Sequence, residues 1–547
     1  MRRKQFRNIH LTVLLCLAAW QVMAISDRFR IVWNDDPSTT AIIAWNQTSG
    51  ENPMLHLNIN DYGSNASEYT LVKKADRVVN AKGMSNHFVR LRGLRPNTTY
   101  YFLIKDSQGV SKRMFFTTAP NTRNERLSII AGGDSRNFRD ARQDANYLVS
   151  KLRPHCVMFG GDFTVDDADQ QWRNWFEDWQ LTISADGRMT PIIVTRGNHE
   201  ESNQTLIDLF DLPDKNAYYA LTLGGDLLRI YTLNTMMPAG GQQRDWLEKD
   251  LSTNSNVTWK VAQYHHPMRP HTKKKPEKND QVVYWATLFL KFGMNLAVEC
   301  DAHVVKSTWP IRPEPGSGSD AGFVRDDATG TVYIGEGCWG APLRENNDDK
   351  SWTRASGSFN QFHWIFVDED KIEVRFVKTD GADRVAEVNH TNIFLAPRGL
   401  VVWSPPSGDV ITIPRLKGPT PYFGEELLAA RSGYEGQAAG HHNGPVLQPA
   451  KAKEDETANW ESCPQLLADV NSGDVMVKYA VVNQCDVEIR LIDIQLKEVI
   501  RLEIPRQRQG EYLRAVETRK VPPGHYLVIV KDKNNQRLLR RFRVLKR

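Results

Sequence analysis

The sequence is poor in the features that mark several common classes of protein. Beyond its N-terminus it contains no run of eighteen apolar residues, so no membrane-spanning helix is expected there. Its charge is nearly balanced, with 70 Lys and Arg against 65 Asp and Glu, and a net charge of +5 predicts neither nucleic acid nor a membrane surface as the main partner. It has six cysteines in 547 residues and no C-x-x-C spacing, which argues against a cysteine-based zinc site.

The first segment has the pattern of a secretory signal peptide. Basic residues between Arg2 and Arg7 precede the apolar stretch LTVLLCLAAW, and small residues precede a cleavage point after Ala24. A membrane anchor is the alternative, but the apolar stretch is short for a span. We therefore predict that residues 1–24 are a signal peptide and that the mature protein is secreted or periplasmic, without a membrane span.

The five cysteines that remain after such processing fall into two sets. Cys463 and Cys485 lie in one late segment, where an oxidising compartment would allow them to pair. Cys156 and Cys300 lie in apolar runs, and Cys338 lies in GEGCWG. We interpret these three as small buried residues rather than as metal ligands.

The chain is too long for one hydrophobic core, so several domains are expected. Residues 25–120 alternate strand-like runs such as FRIVW and TAIIAW with turn signals such as NDDPS and RPNTT, which predicts a β-sandwich. Residues 125–396 alternate short β-branched runs with helical segments at 140–152 and 242–251. This alternation predicts an αββα domain, in which two sheets are covered by helices.

The last part of the chain changes composition twice. Residues 404–459 are rich in Pro, Gly, Ala and charged residues, which predicts a linker. Short strand-like runs such as VMVKYAVV and HYLVIVKD return in residues 460–547 and predict a second, smaller β-sandwich. The predicted fold class is therefore multidomain, combining α/β and all-β domains.

The segment DQQWRNWFEDWQL places four aromatic residues at helical spacing. They are Trp172, Trp175, Phe176 and Trp179. A substrate platform is one interpretation, but an amphipathic helix that buries its apolar face is the more common reason for this spacing.

Five clusters of residues able to bind metal ions recur through the central domain. They read GGDSR at 132–136, GGD at 160–162, GNHE at 197–200, YHHP at 264–267 and ECDAH at 299–303. Each follows or closes a short apolar run typical of strands that are buried on both faces. Because open α/β sheets carry their sites at the carboxyl ends of such strands, we predict one metal site built from five loops.

Each cluster alone is better explained as a turn or a helix cap, but their joint order is informative. The order Asp, Asp, Asn-His, His and Asp-x-His resembles that of the calcineurin-like metallophosphoesterases and, within them, the purple acid phosphatases. The stretch HFVRLRGLRPNTTYYFLIKDSQG is similar to the fibronectin type III-like domain that precedes the catalytic domain in plant-type members. The resemblance covers residues 28 to about 380.

The resemblance implies a binuclear metal centre with Asp162 as the bridging carboxylate. Its first ion would take Asp134, Asp162 and His303, and its second would take Asp162, Asn198, His265 and Asp301. Carboxylate, amide and imidazole ligands suit Fe, Zn or Mn, bound as two divalent or mixed-valence ions.

The chain departs from the purple acid phosphatase pattern at two positions. The tyrosine that colours those enzymes lies three residues after the bridging Asp, where this chain has Val165. The motif G-H-x-H is replaced by Cys300, Asp301, Ala302 and His303, so that a carboxylate replaces the first His. These departures predict a colourless or only faintly coloured protein and leave open the identity of the first ion and the affinity of the second site.

Five further residues lie beside the proposed ligands in the sequence. By resemblance, His199 faces the substrate, where it binds phosphate or protonates the leaving group, and Glu200 holds its imidazole. Arg136 is either a phosphate contact or a partner in a surface ion pair. His266 and His271 are candidates for the substrate entrance.

The leading functional hypothesis is a binuclear metal-dependent phosphatase that hydrolyses phosphomonoesters with a metal-bound hydroxide. A phosphodiesterase or nucleotide hydrolase would use the same two-metal core. A weakly active binding or adhesion protein is a third hypothesis, although the retained ligand set argues against it. The sequence leaves the natural substrate and the oligomeric state open.

Overall fold

The computed structural model describes most of the chain. The described residues are 26–314, 318–415, 465–468, 475–481, 485–493, 497–508, 510–517, 521, 524–532 and 537–544. The predicted signal peptide and Cys463 lie outside them, so the cleavage site and the pairing of Cys463 with Cys485 stay predictions. Within these described ranges, no helix combines the length and the apolar character that crossing a membrane requires.

The N-terminal domain is a β-sandwich, as predicted. Its strands are β1 Ser26–Val32, β2 Ala41–Gln47, β3 Met54–Asn58, β4 Leu71–Lys73, β5 Arg77–Ala81, β6 Met84–Leu91, β7 Thr99–Lys105 and β8 Met114–Thr117. One layer has the order β1-β2-β6-β5 and the other has the order β4-β3-β7-β8. Phe88 of the first layer and Leu57 and Phe102 of the second are buried in one core.

The central domain follows and begins with β9. Its strands are β9 Leu127–Gly132, β10 Cys156–Phe159, β11 Ile192–Val194, β12 Tyr219–Leu223, β13 Leu228–Thr232, β14 Trp259–Gln263, β15 Leu296–Glu299, β16 Val305–Thr308, β17 Ile311–Pro313, β18 Phe323–Arg325, β19 Val332–Gly335, β20 Thr353–Gly357, β21 Gln361–Val367, β22 Lys371–Lys378, β23 Val401–Val402 and β24 Val410–Pro414. Its helices are α1 Arg139–Leu152, α2 Asp169–Trp179, α3 Asn203–Phe210, α4 Gln242–Thr253, α5 Asn279–Gln281 and α6 Thr287–Phe292, the last two joined by a π-helix at Val282–Ala286.

Two sheets form the middle layers of this domain. One contains β22-β21-β9-β10-β11, and the other has the order β12-β13-β14-β15-β19-β16-β20. Because side chains alternate along a strand, Val261 of β14 joins the core between the sheets, while Ala262 packs with Leu247 of α4 and Phe289 of α6. Helices α1 and α2 cover the other sheet, and the predicted αββα arrangement is confirmed.

The aromatic face of α2 is part of this core. Trp172, Trp175, Phe176 and Trp179 are all buried, with at most 2% of each residue exposed. The interpretation as a packing helix is therefore confirmed. Cys156, Cys300 and Cys338 are likewise buried, and each has a free thiol.

The first sheet continues from the central domain into the N-terminal domain. β1 pairs in parallel with β11 at Val32 and Ile192, which joins the two domains in one sheet. The junction is reinforced by Arg30, whose guanidinium is fully buried, donates to Leu209 O at 2.8 Å and lies over the Phe176 ring. The N-terminal domain therefore shares a sheet with the strands that precede the metal-binding loops.

The described residues of the C-terminal part form seven strands in two sheets. They are β25 Gln465–Ala468, β26 Val475–Val481, β27 Cys485–Asp493, β28 Glu498–Gln507, β29 Gly510–Val516, β30 Gly524–Asp532 and β31 Arg537–Val544. Val477 and Val516 of one sheet share a buried cluster with Val487 and Val528 of the other, which is the predicted smaller β-sandwich.

The first part of the predicted linker contains a strand. Val410–Pro414 forms β24 and pairs with β22 along five residues, because the alternation VITIP matches the edge of that sheet. Sheet pairing therefore extends past the predicted domain end at residue 396, and residues 416–459 lie outside the described part of the chain.

Candidate metal centre

Each motif follows or closes a strand of the central domain. β9 ends before Asp134, β10 before Asp162, β11 before Asn198, β14 before His265 and β15 before Asp301. The strands β9, β10 and β11 are parallel in one sheet, and β14 and β15 are parallel in the other. All five loops consequently leave the sheets at the same end, and their side chains meet there.

The loops approach one another closely enough to require glycine at specific positions. Gly161 has a φ of +93°, and a Cβ atom there would lie 2.4 Å from Gly197 N. Four proposed ligands also have left-handed backbone conformations, namely Asp134 (φ 59°), Asp162 (φ 56°), Asp301 (φ 66°) and His303 (φ 54°). Such strain is uncommon in residues other than glycine and clusters at functional sites.

The first ligand group consists of Asp134, Asp162 and His303. All three side chains are buried, and their ligand atoms lie within 4.8 Å of one another. His303 Nε2 lies 3.0 Å from Asp134 Oδ1. Ligand bonds of about 2.1 Å to one ion would place neighbouring ligand atoms about 3 Å apart, so this group has the dimensions of a coordination shell.

The second ligand group consists of His265, His266 and Asp301, again within 4.8 Å of one another. His265 Nε2 lies 3.1 Å from Asp162 Oδ1, 3.7 Å from Asp301 Oδ1 and 3.2 Å from Asn198 Oδ1. Asp162 therefore contacts the second group while belonging to the first, as a bridging carboxylate must. His266 Nε2 lies 3.3 Å from Asn198 Oδ1.

The hydrogen bonds of the two buried histidines fix which ring nitrogen faces the centre. His265 Nδ1 donates to Gly160 O at 2.8 Å, and His303 Nδ1 donates to Pro342 O at 2.9 Å. A carbonyl oxygen only accepts, so Nδ1 of each ring carries a proton and Nε2 faces carboxylate oxygens. At these distances a proton or a metal cation has to lie between Nε2 and the carboxylates, and the residues present therefore fit a metal ion.

The charge of the centre also indicates that the residues fit a metal ion. Burial alone lowers the pKa of His265, but the carboxylates of Asp162, Asp134 and Asp301 outweigh burial and raise that pKa to about 10. For His266, burial and then the neighbouring His265 lower the pKa to about 3. The raised pKa of His265 indicates that its imidazole lies in an excess of negative charge, which a divalent cation would neutralise.

His199 faces the centre from the third loop. Its Nδ1 donates to Val165 O, and its Nε2 lies 3.7 Å from Asp162 Oδ2. The ring is partly exposed, with 25% of its side chain accessible. The imidazole is thus held by a backbone carbonyl with Nε2 directed toward the bridging carboxylate.

The expectation that Glu200 holds the His199 imidazole is wrong. Glu200 Oε2 accepts from Gly197 N at 2.6 Å and from Asp162 N at 3.2 Å, and Oε1 accepts from Phe163 N at 2.9 Å. Burial, followed by the charge of Asp162, raises the pKa of this carboxyl to about 8. Glu200 therefore links two metal-binding loops through their backbone N–H groups. The sequence alone does not reveal this role, because it depends on how those loops cross.

Arg136 lies in the centre rather than on the open surface. Its side chain is 11% exposed, and its Nε donates to Asp162 Oδ2 at 3.2 Å. Its Nη2 lies 3.3 Å from His303 Nε2. The guanidinium thus contacts two residues of the first group.

Sequence reasoning missed Lys275 and Arg344. Lys275 Nζ forms an ion pair with Asp301 Oδ1, and Arg344 Nη1 donates to Asp301 O at 2.5 Å. The run KKKPEK was the available signal for a basic segment near the fourth motif. His271, a candidate for the entrance, is instead fully buried, with its Nε2 2.7 Å from Thr353 Oγ1, because its loop turns inward.

Two sequence families match the chain. Residues 26–118 match the purple acid phosphatase N-terminal domain, and residues 129–299 match the calcineurin-like phosphoesterases. These ranges lie within the N-terminal sandwich and the αββα domain. The resemblance inferred from the motifs is confirmed, and the chain has the domains of a purple acid phosphatase-like metallophosphoesterase.

Curated relatives match at low identity. Acid phosphatase type 7 of Homo sapiens is 25% identical over 278 residues, covering 44% of this chain and 61% of the relative. Purple acid phosphatase 23 of Arabidopsis thaliana is 24% identical over 274 residues, covering 42% and 58% respectively. The chain thus spans about three fifths of the length of these relatives.

A solved structure shares the fold. The purple acid phosphatase isolated from yellow lupin (Lupinus luteus) seeds has a TM-score of 0.54 and 14% sequence identity, covering 71% of this chain and 74% of that chain.

Proposed function

We propose that this chain is an exported, metal-dependent phosphatase that hydrolyses phosphomonoesters at a binuclear centre. One observation carries the proposal: two largely buried ligand groups meet at the shared carboxylate of Asp162, with Nε2 of His265 and of His303 directed into them. A structural core has no need to gather this many ionisable groups, because burying charged groups costs free energy even when they are paired.

Each ion has its own ligand set in this proposal. The first ion takes Asp134, Asp162 and His303, and the second takes Asp162, Asn198, His265 and Asp301, with His266 as a further donor beside Asn198. When bound, the two ions neutralise phosphoryl oxygens and lower the pKa of a bound water toward 7. The mixture of oxygen and nitrogen donors suits Fe, Zn or Mn.

Two further side chains act on the substrate in this proposal. His199 has Nδ1 held by Val165 O, so its Nε2 is free to contact the phosphate or to deliver a proton to the leaving oxygen. Arg136 presents a guanidinium beside Asp162, where its remaining N–H groups are able to bind phosphoryl oxygens.

The test combines metal analysis with hydrolysis of model substrates. Purified wild-type protein is expected to hold two metal ions per chain and to hydrolyse p-nitrophenyl phosphate faster than bis-p-nitrophenyl phosphate. Asp162→Asn should lose both properties. Asp166→Asn is the matched control, because Asp166 is exposed on the same loop four residues later.

Two results would replace this function by another. A clear preference for the diester would favour a phosphodiesterase or nucleotide hydrolase on the same core. A folded protein without bound metal or measurable hydrolysis would favour a binding or adhesion role.

Export is proposed from the basic and apolar pattern of residues 1–24. Expression of the full chain in a bacterial host should yield a periplasmic or secreted protein whose N-terminal residue follows Ala24. Recovery of the intact N-terminus in the cytoplasm would contradict export without bearing on the activity.

A further inference from the structure

Lys275 contacts the second ligand group at the atom a metal ion would need. Its Nζ pairs with Asp301 Oδ1, the carboxylate oxygen that also lies 3.7 Å from His265 Nε2. The Lys275 side chain is 20% exposed, whereas that of Asp301 is 3% exposed. The ammonium therefore enters the group from the solvent side, against a carboxylate that is almost fully buried.

The backbone around Lys275 holds this position. Lys275 N donates to Thr272 O at 3.3 Å, and Lys278 N donates to Met268 O at 3.0 Å. Lys273 N donates to Asn347 Oδ1 at 3.0 Å, while the Lys273 residue itself is exposed. Neighbouring lysines of one loop are thus distributed between solvent and the centre, and the loop is fixed on both sides of Lys275.

The ammonium and a second ion compete for the same oxygen. Asp301 is the position where a carboxylate replaces the imidazole of the related enzymes, and a carboxylate attracts an ammonium as well as a metal ion. Two cations drawn to one oxygen repel each other, so an ion that binds there must displace the lysine. The first group contains no lysine contact of this kind among the described residues; Arg136 approaches it at 3.2 Å through Asp162 Oδ2.

We propose that Lys275 is a built-in competitor for the second metal ion, which pairs with Asp301 when that ion is absent and is displaced when it binds. The first site then fills at low metal concentration and the second fills only at higher concentration. This inference rests on the proposed binuclear centre. It makes occupancy of the second site, and with it hydrolysis, respond to the supply of metal around an exported protein.

The experiment measures metal binding directly. Metal-free full-length protein is titrated with Mn²⁺ by calorimetry, and bound Mn²⁺ is counted after equilibrium dialysis. Wild-type protein is expected to bind one ion tightly and a second more weakly. Lys275→Met, which keeps the chain length and removes the charge, should tighten the second step by at least about tenfold and leave the first step unchanged.

Two variants serve as controls. Lys275→Arg keeps a cation beside Asp301 and should retain a weak second step. Lys273→Met removes a charge from the same loop at an exposed position and should leave both steps as in wild-type protein.

The outcomes separate this inference from the proposed function. If wild-type protein and Lys275→Met each bind one ion tightly and bind the second ion with the same affinity, the competitor role is overturned while the metal centre stands. A raised KM for phosphate esters with unchanged metal binding would overturn it in favour of a phosphate contact. If no variant binds Mn²⁺ at either step, both the inference and the binuclear centre are overturned.

Discussion

The two ligand groups of the centre differ in how they are surrounded. The first group is buried on all sides and keeps the residues that the family resemblance implies. The second group includes the partly exposed His266 and the substituted position Asp301, and it contacts a lysine. A shared bridging residue therefore does not make the two candidate sites equivalent, because the affinity of each site depends on its own neighbours.

The two ligand groups also differ in the basic residue that contacts each of them. Arg136 reaches Asp162 Oδ2 and His303 Nε2 at 3.2 and 3.3 Å, so its planar guanidinium spans two ligands without pairing closely with either. Lys275 pairs with a single oxygen of Asp301. An arginine with several N–H groups suits a permanent contact with phosphate, whereas a flexible lysine with one compact charge suits an exchangeable contact.

The largest effect is expected from breaking the first group. Asp134→Asn removes one charged ligand from a fully buried set, and the first ion should be lost together with hydrolysis. The decrease in kcat/KM should exceed the roughly 10-fold to 100-fold that substitution of a residue supporting a ligand produces. Steady-state kinetics and metal counting check this, with Asp140→Asn as the control because Asp140 is exposed in the first turn of α1. Retention of both ions in Asp134→Asn would contradict the ligand assignment.

An intermediate effect is expected from the substituted position of the second group. Asp301→Ala should weaken the second ion and decrease turnover, and excess metal should restore part of the activity. Asp301→His should be tolerated better, since it supplies an imidazole at the place where the related enzymes have one. Equilibrium dialysis and kinetics across a metal series measure both. If the Ala variant still binds two ions at saturation and His is no better than Ala, Asp301 is a supporting residue rather than a ligand.

The smallest effect on rate is expected at Val165. This residue occupies the place of the tyrosine that colours the purple enzymes, and wild-type protein should show no intense visible absorption band. Val165→Tyr, reconstituted with ferric iron, should gain such a band and change turnover by less than about tenfold. An absorption spectrum of the two proteins decides the matter. A strongly coloured wild-type protein would mean that another residue ligates ferric iron.

The sequence predicted the scaffold of the centre because the relevant signals are local. Short β-branched runs followed by Asp, Asn or His indicate strand ends, and the order of five such ends indicates which loops meet. Asp134, Asp162, His265 and His303 therefore converge as predicted. The face of α2 was equally readable, since helical spacing determines which side chains share a side.

The contacts that the sequence did not reveal depend on the path of loops. Glu200 accepts from the backbone of Phe163, 37 residues earlier, and no sequence pattern indicates a bond to a backbone N–H so distant along the chain. Lys275 was one of several lysines in a run, and only the fold distinguishes the one that pairs with Asp301. The burial of His271 likewise follows from the turn of its loop.

The pairing of β1 with β11 makes the N-terminal domain a cover for an otherwise open sheet edge. A fragment that begins at the central domain would expose the backbone N–H and C=O groups of β11 as an unpaired edge, a template for association between chains. It would also expose the apolar surface around Phe176, over which Arg30 now lies. The boundary near residue 120 thus separates two sequence families that share one sheet, and a fragment that keeps the edge of β11 paired has to include β1.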